Sequence, residues 1–125
     1  MNTTINTIFF DVGATLRVVV EDPELSDQAE RRMMELVGAT CSPQEFFEEL
    51  ERNWIAYRKN AKTTLLDVSE MELWTQWLLP QYPHQKIAER CALLTKLWRD
   101  RDGRRVPRPG VEDTILELYH RGYRL

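Results

Sequence analysis

The chain has 125 residues, a hydrophobic share of 42% and a net charge of −3, values that predict one compact domain with a real core. Its charged share of 30%, without a long polar tract or a Gly/Ser linker, argues against intrinsic disorder. The negative charge gives no general attraction to nucleic acid or to an anionic membrane, and no stretch is apolar for long enough to span a bilayer. We expect a cytoplasmic protein, because the first ten residues do not resemble a signal peptide. Both cysteines, Cys41 and Cys91, are expected to be reduced, with Cys91 in the core.

The first apolar segment, Ile5–Phe10, is rich in β-branched and aromatic residues and carries no charge. This composition predicts a strand that is buried on both faces and ends at Asp11. The small residues that follow, 12–16, predict a turn, and Arg17–Val20 predicts a short extended segment.

Four amphipathic helices are predicted between Pro23 and about Arg101. Their apolar stripes are Leu25, Ala29, Met33 and Leu36; Phe46, Leu50, Trp54 and Tyr57; Met71, Trp74 and Leu78; and Ile87, Cys91, Leu94 and Trp98. Ser42 and Ser69 open capping boxes at the starts of the second and third helices, and Gly38 follows the first helix as a C-cap. Short connections allow the four stripes to pack against one another as a small bundle.

The last segment, residues 105–125, has prolines at 107 and 109, which predict an extended stretch, and a helix is predicted after Gly110. We expect this helix to turn Val111, Ile115 and Leu118 inward and to end at Gly122. Residues 123–125 then resemble the first residues of a strand.

Asp11 is the sharpest candidate for chemistry, because ligands of open α/β sheets bind at the carboxyl ends of strands. A carboxylate there can attack phosphorus and form an aspartyl-phosphate. The backbone amides of Val12, Gly13 and Ala14 would then approach phosphate oxygens. A plainer interpretation is that Asp11 only terminates the strand or caps the turn, which is the commoner role of such a residue.

The run Asp11-Val12-Gly13-Ala14-Thr15-Leu16 resembles the first motif of the haloacid dehalogenase-like hydrolases, a hydrophobic strand followed by Asp-x-Asp-Gly-Thr-Leu. A second segment resembles the stretch that returns to the core of these proteins after their cap; it comprises Val106-Pro107-Arg108-Pro109-Gly110-Val111, then Leu116, Leu118, Gly122 and Tyr123. The helices between the two segments resemble the helical (C1-type) cap of the family.

The resemblance implies an α/β fold, a Rossmannoid core with a helical cap, of which this chain would hold one or two parallel core strands and be mostly α-helical. Residues 1–16 and 106–125 would form part of the core, and residues 17–105 would form a four-helix cap. Asp11 would be the nucleophile and a Mg²⁺ ligand, the backbone carbonyl of Gly13 would be a second ligand, and Thr15 would hold the Asp11 carboxylate. The substrate would be a phosphorylated small molecule.

Two departures from the family pattern lie in the first motif. Gly13 replaces the second Asp, which serves as general acid and base, and that loss typically lowers a rate by about 10²–10⁴-fold. Ala14 replaces a glycine, a change that a left-handed backbone does not favour. The family's later Ser or Thr, its Lys and its acidic pair are not found in these 125 residues. We therefore expect a fragment that is inactive alone and binds Mg²⁺ weakly or not at all.

Other features have plainer explanations. Trp54, Trp74 and Trp98 lie on apolar stripes and are expected to pack in the core, whereas Trp77 lies on none of the predicted stripes. The arginines between 99 and 108 are expected to lie on a solvated hinge, because Asp100 and Asp102 interrupt them. His84 and His120 have no metal-site spacing. The alternative function is a non-catalytic helical interaction module, with a homodimer formed through exposed core edges.

Overall fold

The computed structural model describes residues 4–125, which form a predominantly helical chain with one two-stranded antiparallel sheet. The strands are β1 (Arg17–Val20) and β2 (Arg104–Pro107). The helices are α1 (Pro23–Val37), α2 (Pro43–Thr64), α3 (Glu70–Glu72), a π-helical segment (Leu73–Leu78), α4 (His84–Ala88), α5 (Cys91–Asp100) and α6 (Val111–His120). The prediction of a mostly α-helical chain is confirmed.

The chain divides into two compact units. The terminal unit contains the described residues up to Asp22 together with Gly103–Leu125, and the helical unit contains Pro23–Asp102.

The helical unit holds the hydrophobic core. On α1, Ala29, Met33 and Val37 are buried at steps of four, which places them on one face of the helix. They pack with buried side chains from the other helices, namely Phe46, Phe47, Leu50, Trp74, Leu78, Leu79, Ile87, Leu94 and Leu97. The indole N–H of Trp74 donates to the Thr95 hydroxyl at 2.8 Å, so the largest core side chain keeps its polar atom bonded.

The caps of the first two helices confirm the local sequence signals. The Ser42 hydroxyl accepts the Glu45 N–H at 3.2 Å, while a Glu45 carboxylate oxygen accepts the Ser42 N–H at 3.0 Å. Gly38 ends α1 in a left-handed conformation with φ of +75°. At the other end of α2 the left-handed cap is Leu65, with φ of +56°, where glycine is the usual residue.

The third predicted helix begins at Ser69, whose hydroxyl accepts the Glu72 N–H at 3.2 Å, but it changes type after α3. Residues 73–78 are π-helical, and the Leu79 N–H donates to the Trp74 carbonyl five residues earlier. A π turn takes more residues than an α turn, so it rotates the buried face. Trp74 and Leu78 are buried as predicted, but the prediction that Met71 lies on the same face is wrong, because Met71 is exposed.

The fourth predicted helix is two helices. The Arg90 N–H donates to the carbonyl of Ile87, three residues back, and this tight turn closes α4 before α5 starts at Cys91. Ile87 and Leu94 are nevertheless both fully buried. The predicted stripe is therefore right and the predicted continuity is wrong. Cys91 is half-buried against the core rather than inside it.

The terminal unit is built around β1 and β2, which pair from Arg17 opposite Pro107 to Val20 opposite Arg104. Gly103 precedes β2 with φ of +121°, and a Cβ there would lie 2.3 Å from the Val20 carbonyl oxygen. The close approach of the two backbones therefore requires glycine at this position.

The prediction that Ile5–Phe10 is a strand buried on both faces is wrong. Phe9 is 92% exposed and Ile5 is 74% exposed, and within residues 4–125 the segment pairs only through a single parallel bridge between Thr7 and Arg124. The inward residues predicted for α6, Val111, Ile115 and Leu118, are only half-buried. Among the described residues of the terminal unit, Gly103 alone is buried, so the apolar side chains of this unit have no core of their own to enter.

Candidate functional site

Asp11 follows an extended segment in which Thr7 forms a parallel β-bridge with Arg124. The Arg124 N–H donates to the Asn6 carbonyl at 2.8 Å, and the Ile8 N–H donates to the Arg124 carbonyl, also at 2.8 Å. This is the bonding of a parallel pair. Asp11 therefore lies three residues beyond Ile8, at the carboxyl end of the segment.

The Asp11 side chain is exposed, and one of its carboxylate oxygens accepts the N–H of Val12 at 3.0 Å. The bond orients the carboxylate toward the start of the turn. It also occupies one of the three backbone amides that were predicted to contact phosphate.

The turn after Asp11 is tight, as predicted. The Val12 carbonyl accepts the N–H of Leu16 at 3.1 Å and that of Arg17 at 3.2 Å, and Gly13 forms an isolated bridge with Arg17. Ala14 has φ of +61°, the left-handed conformation that glycine would adopt at lower cost. Ala14, which stands where the family pattern has glycine, thus occupies a position where the backbone adopts a positive φ.

The space around residue 13 does not require a glycine. A Cβ at this position would meet no heavy atom within 4 Å. A Cβ would therefore be accommodated at this position without a clash.

Thr15 was predicted to hold the Asp11 carboxylate. Within residues 4–125 the structure shows no hydrogen bond between Thr15 and Asp11, so that role stays a prediction. Thr15 instead lines a small pocket of about 270 Å³ together with Phe10, Leu16 and Arg108 on one side and the first turns of α6 on the other.

Arg108 joins the two segments that carry the family resemblance. Its backbone N–H donates to the Leu16 carbonyl at 2.9 Å, and its guanidinium donates to the Ala14 carbonyl. Together with the pairing of Arg17 opposite Pro107, these bonds hold residues 12–17 against residues 107–108 across about ninety intervening positions.

Sequence reasoning missed this role, because Arg108 was grouped with the arginines of a solvated hinge. Neighbouring arginines have partners as well: Arg104 pairs with Asp22 at 2.9 Å, and Arg101 pairs with Glu30 at 2.8 Å. The only available sequence signal was the position of Arg108 between two prolines.

The donor set for a magnesium ion is small. In the part of the chain that the structure describes, no group of three or more His, Cys, Asp or Glu side chains could hold a metal ion. Asp11 and the Gly13 carbonyl would supply two oxygens, whereas Mg²⁺ demands near-octahedral oxygen coordination. These residues therefore do not make a complete magnesium site by themselves.

No helix within residues 4–125 combines the length and the apolar character that crossing a membrane requires. Comparison of the chain with family models, with curated proteins and with solved structures gives no match. The resemblance to the haloacid dehalogenase-like hydrolases thus rests on the motif residues alone.

Proposed function

We propose that this chain carries the nucleophile segment of a haloacid dehalogenase-like phosphohydrolase and needs further catalytic groups to turn over. One observation supports this most. The two segments that resemble the family, residues 11–16 and 106–111, lie some ninety positions apart in sequence and are bonded to each other in one unit. A chance match to either motif would not require them to meet.

In this proposal the Asp11 carboxylate attacks the phosphorus of a phosphorylated small molecule. A bond forms from the carboxylate oxygen to phosphorus while the bond to the leaving oxygen breaks, and water later hydrolyses the aspartyl-phosphate. The hydrogen bond from the Val12 N–H orients the carboxylate before the attack.

Gly13 decides which leaving groups are favoured. With no carboxyl group at this position, the departing oxygen receives no proton from the turn, so a group that leaves as a stable anion is preferred. Aryl phosphates and phosphoanhydrides fit this requirement better than alkyl phosphates.

The 125-residue chain itself is expected to be inactive. No counterpart of the family's phosphate-gripping hydroxyl, its Lys or its acidic pair is assigned in it, and electrostatic stabilisation is usually the largest contribution to catalysis. Magnesium remains part of the proposal for a longer product, in which other carboxylates would complete the coordination.

The test has two steps. The coding sequence beyond codon 125 is read first, and the proposal expects a strand ending in Ser or Thr, then a Lys, then an acidic pair. The longer product is then assayed with p-nitrophenyl phosphate and Mg²⁺ beside Asp11→Asn and a matched control, Asp27→Asn, which alters an exposed aspartate of α1. Activity that is abolished by the Asp11 change and kept by the control supports the proposal. Activity that survives Asp11→Asn defeats it.

A second candidate function is a self-association module, and a different observation favours it. The terminal unit leaves Ile5, Phe9 and Tyr119 largely exposed and buries no apolar side chain among its described residues. Because exposed apolar side chains favour association when they meet a partner surface, we propose a homodimer formed through the exposed residues of this unit.

Sedimentation over a range of concentrations tests this candidate. A dimer that Phe9→Ser converts to monomer, and that Ile55→Ser in the helical unit leaves intact, is the expected result. A clean monomer at the highest concentration contradicts it.

A further inference from the structure

A groove in the helical unit has no role in either proposal above. It has a volume of about 580 Å³ and lies between the C-terminal half of α2, the loop 65–68, α3 and α5. Its size falls within the range of small-molecule sites, which are mostly apolar with a few placed polar groups.

The floor of the groove is aromatic and fixed. The centroid of the Tyr57 ring lies 5.7 Å from that of Trp54 and 5.5 Å from that of Trp77. The Tyr57 hydroxyl donates a hydrogen bond to the Asp67 carboxylate. Tyr57 is buried and holds the partly exposed Trp54 ring in a fixed position, so Trp54 gives the floor a preformed surface against which a flat apolar group can stack.

The rim carries two leucines in an unusual arrangement. Leu65 is 87% exposed and Leu66 is 71% exposed, and Leu65 has a left-handed backbone with φ of +56°. A branched residue in that conformation costs free energy, and an exposed side chain returns none of it through core packing. Strain of this kind concentrates at functional sites.

The charges of the groove favour an anion. Arg58, Lys62 and Arg99 line it, against the carboxylates Asp67 and Glu70. The guanidinium carbon of Arg58 lies 5.6 Å from the centroid of the Trp54 ring. Neither Arg58 nor Lys62 has an ion-pair partner among the described residues. Asp67 already accepts hydrogen bonds from Tyr57 and from the Val68 N–H, so its charge is partly engaged.

We propose that this groove binds an organic anion with a flat apolar body, such as an aryl carboxylate or aryl sulfonate. The body stacks on Trp54 beneath Leu65 and Leu66, and the anionic group pairs with Arg58 and Lys62. Every residue of this site belongs to the helical unit, so the site does not depend on Asp11.

The experiment is a ¹⁵N nuclear magnetic resonance titration with anilinonaphthalene sulfonate as the probe. We expect saturable shifts of the Trp54 indole N–H and of the backbone amides in 65–68. The neutral analogue phenylnaphthylamine is expected to bind about five-fold more weakly, and inorganic sulfate is expected to produce no shift, because each lacks one half of the recognised chemistry. Shifts confined to residues outside the groove would overturn the proposal.

Charge variants provide the matched comparison. Arg58→Gln with Lys62→Gln is expected to raise the dissociation constant about five-fold, the effect of two exposed charge pairs, while Arg31→Gln with Arg32→Gln, the same change on exposed residues of α1, leaves it unchanged. Equal affinities for the two double variants contradict the assigned role of Arg58 and Lys62.

Leu65→Gly separates binding from stability. Glycine relieves the left-handed strain, so the melting temperature is expected to rise or hold while the probe binds more weakly. Unchanged affinity in this variant would remove Leu65 from the site.

Discussion

Replacing Leu94 by alanine should be among the most damaging single changes to stability, whereas replacing Phe9 should have almost no effect. Leu94 has 0% exposure in the core of the helical unit, and Phe9 is 92% exposed in the terminal unit. The size of the side chain alone predicts the opposite order, because phenylalanine is the larger apolar residue.

The magnitude for Leu94→Ala follows from its burial. Removing three methyl or methylene groups at about 0.8 kcal/mol each costs roughly 2.4 kcal/mol of transfer free energy. The cavity left in the core of the helical unit adds to this, so a loss of about 3–4 kcal/mol in the free energy of unfolding is expected. Phe9→Ala should change that free energy by less than about 0.5 kcal/mol.

Urea denaturation measures both changes. All four tryptophans lie in the helical unit, so their fluorescence reports that unit, and far-ultraviolet circular dichroism must be recorded as well to follow the terminal unit. Leu93→Ala is the matched control, because it removes the same side chain from the adjacent, exposed position of α5 and should cost less than about 1 kcal/mol. A loss above about 2 kcal/mol for Phe9→Ala would show that Ile5–Phe10 is packed in a core and would refute this reasoning.

Three further changes test local features. Ser42→Ala removes the N-cap of α2 and should lower the free energy of unfolding by about 1 kcal/mol in urea titrations; no change would mean that the capping box is not formed in solution. Hydrogen bonds from the Ser42 backbone and side chain lower the pKa of Glu45 below its ordinary value of 4.5. The stabilisation from Glu45 is therefore present above pH 4.5 and lost as the pH falls through the folded-state pKa, so the stability difference between wild type and Glu45→Gln should shrink in acid; a pH-independent difference contradicts this. Gly103→Ala would place its Cβ 2.3 Å from the Val20 carbonyl oxygen, so a loss of about 1–3 kcal/mol is expected in thermal unfolding, and a neutral result would mean that the backbones are farther apart.

The functional proposals divide between the two units. The reaction chemistry proposed for Asp11 belongs to the terminal unit, whose described part has almost no buried residues, and the proposed anion groove belongs to the helical unit, which holds the core. A stable scaffold suits a preformed binding groove, whereas a nucleophile needs surroundings that exclude water. Because Asp11 is exposed, the proposed reaction would require additional groups that shield this carboxylate from water.

The sequence by itself determined the features that depend on near neighbours. The capping box at Ser42, the left-handed glycine after α1 and the turn after Asp11 each involve residues within five positions of one another, so their signals are readable in a short window. The helical stripes are equally local, and Ile87 and Leu94 were placed on one buried face correctly even though the helix between them is broken.

Only the tertiary structure decided which apolar residues are covered. Ile5–Phe10 has the composition of a central strand, but burial requires neighbours on both faces, and apolar composition does not supply them. The π-helical turn at 73–78 and the bonds from Arg108 to the turn after Asp11 likewise depend on contacts or hydrogen bonds that no single stretch of sequence displays. Periodicity states which face of a segment is apolar, and packing between distant segments determines whether that face meets protein or solvent.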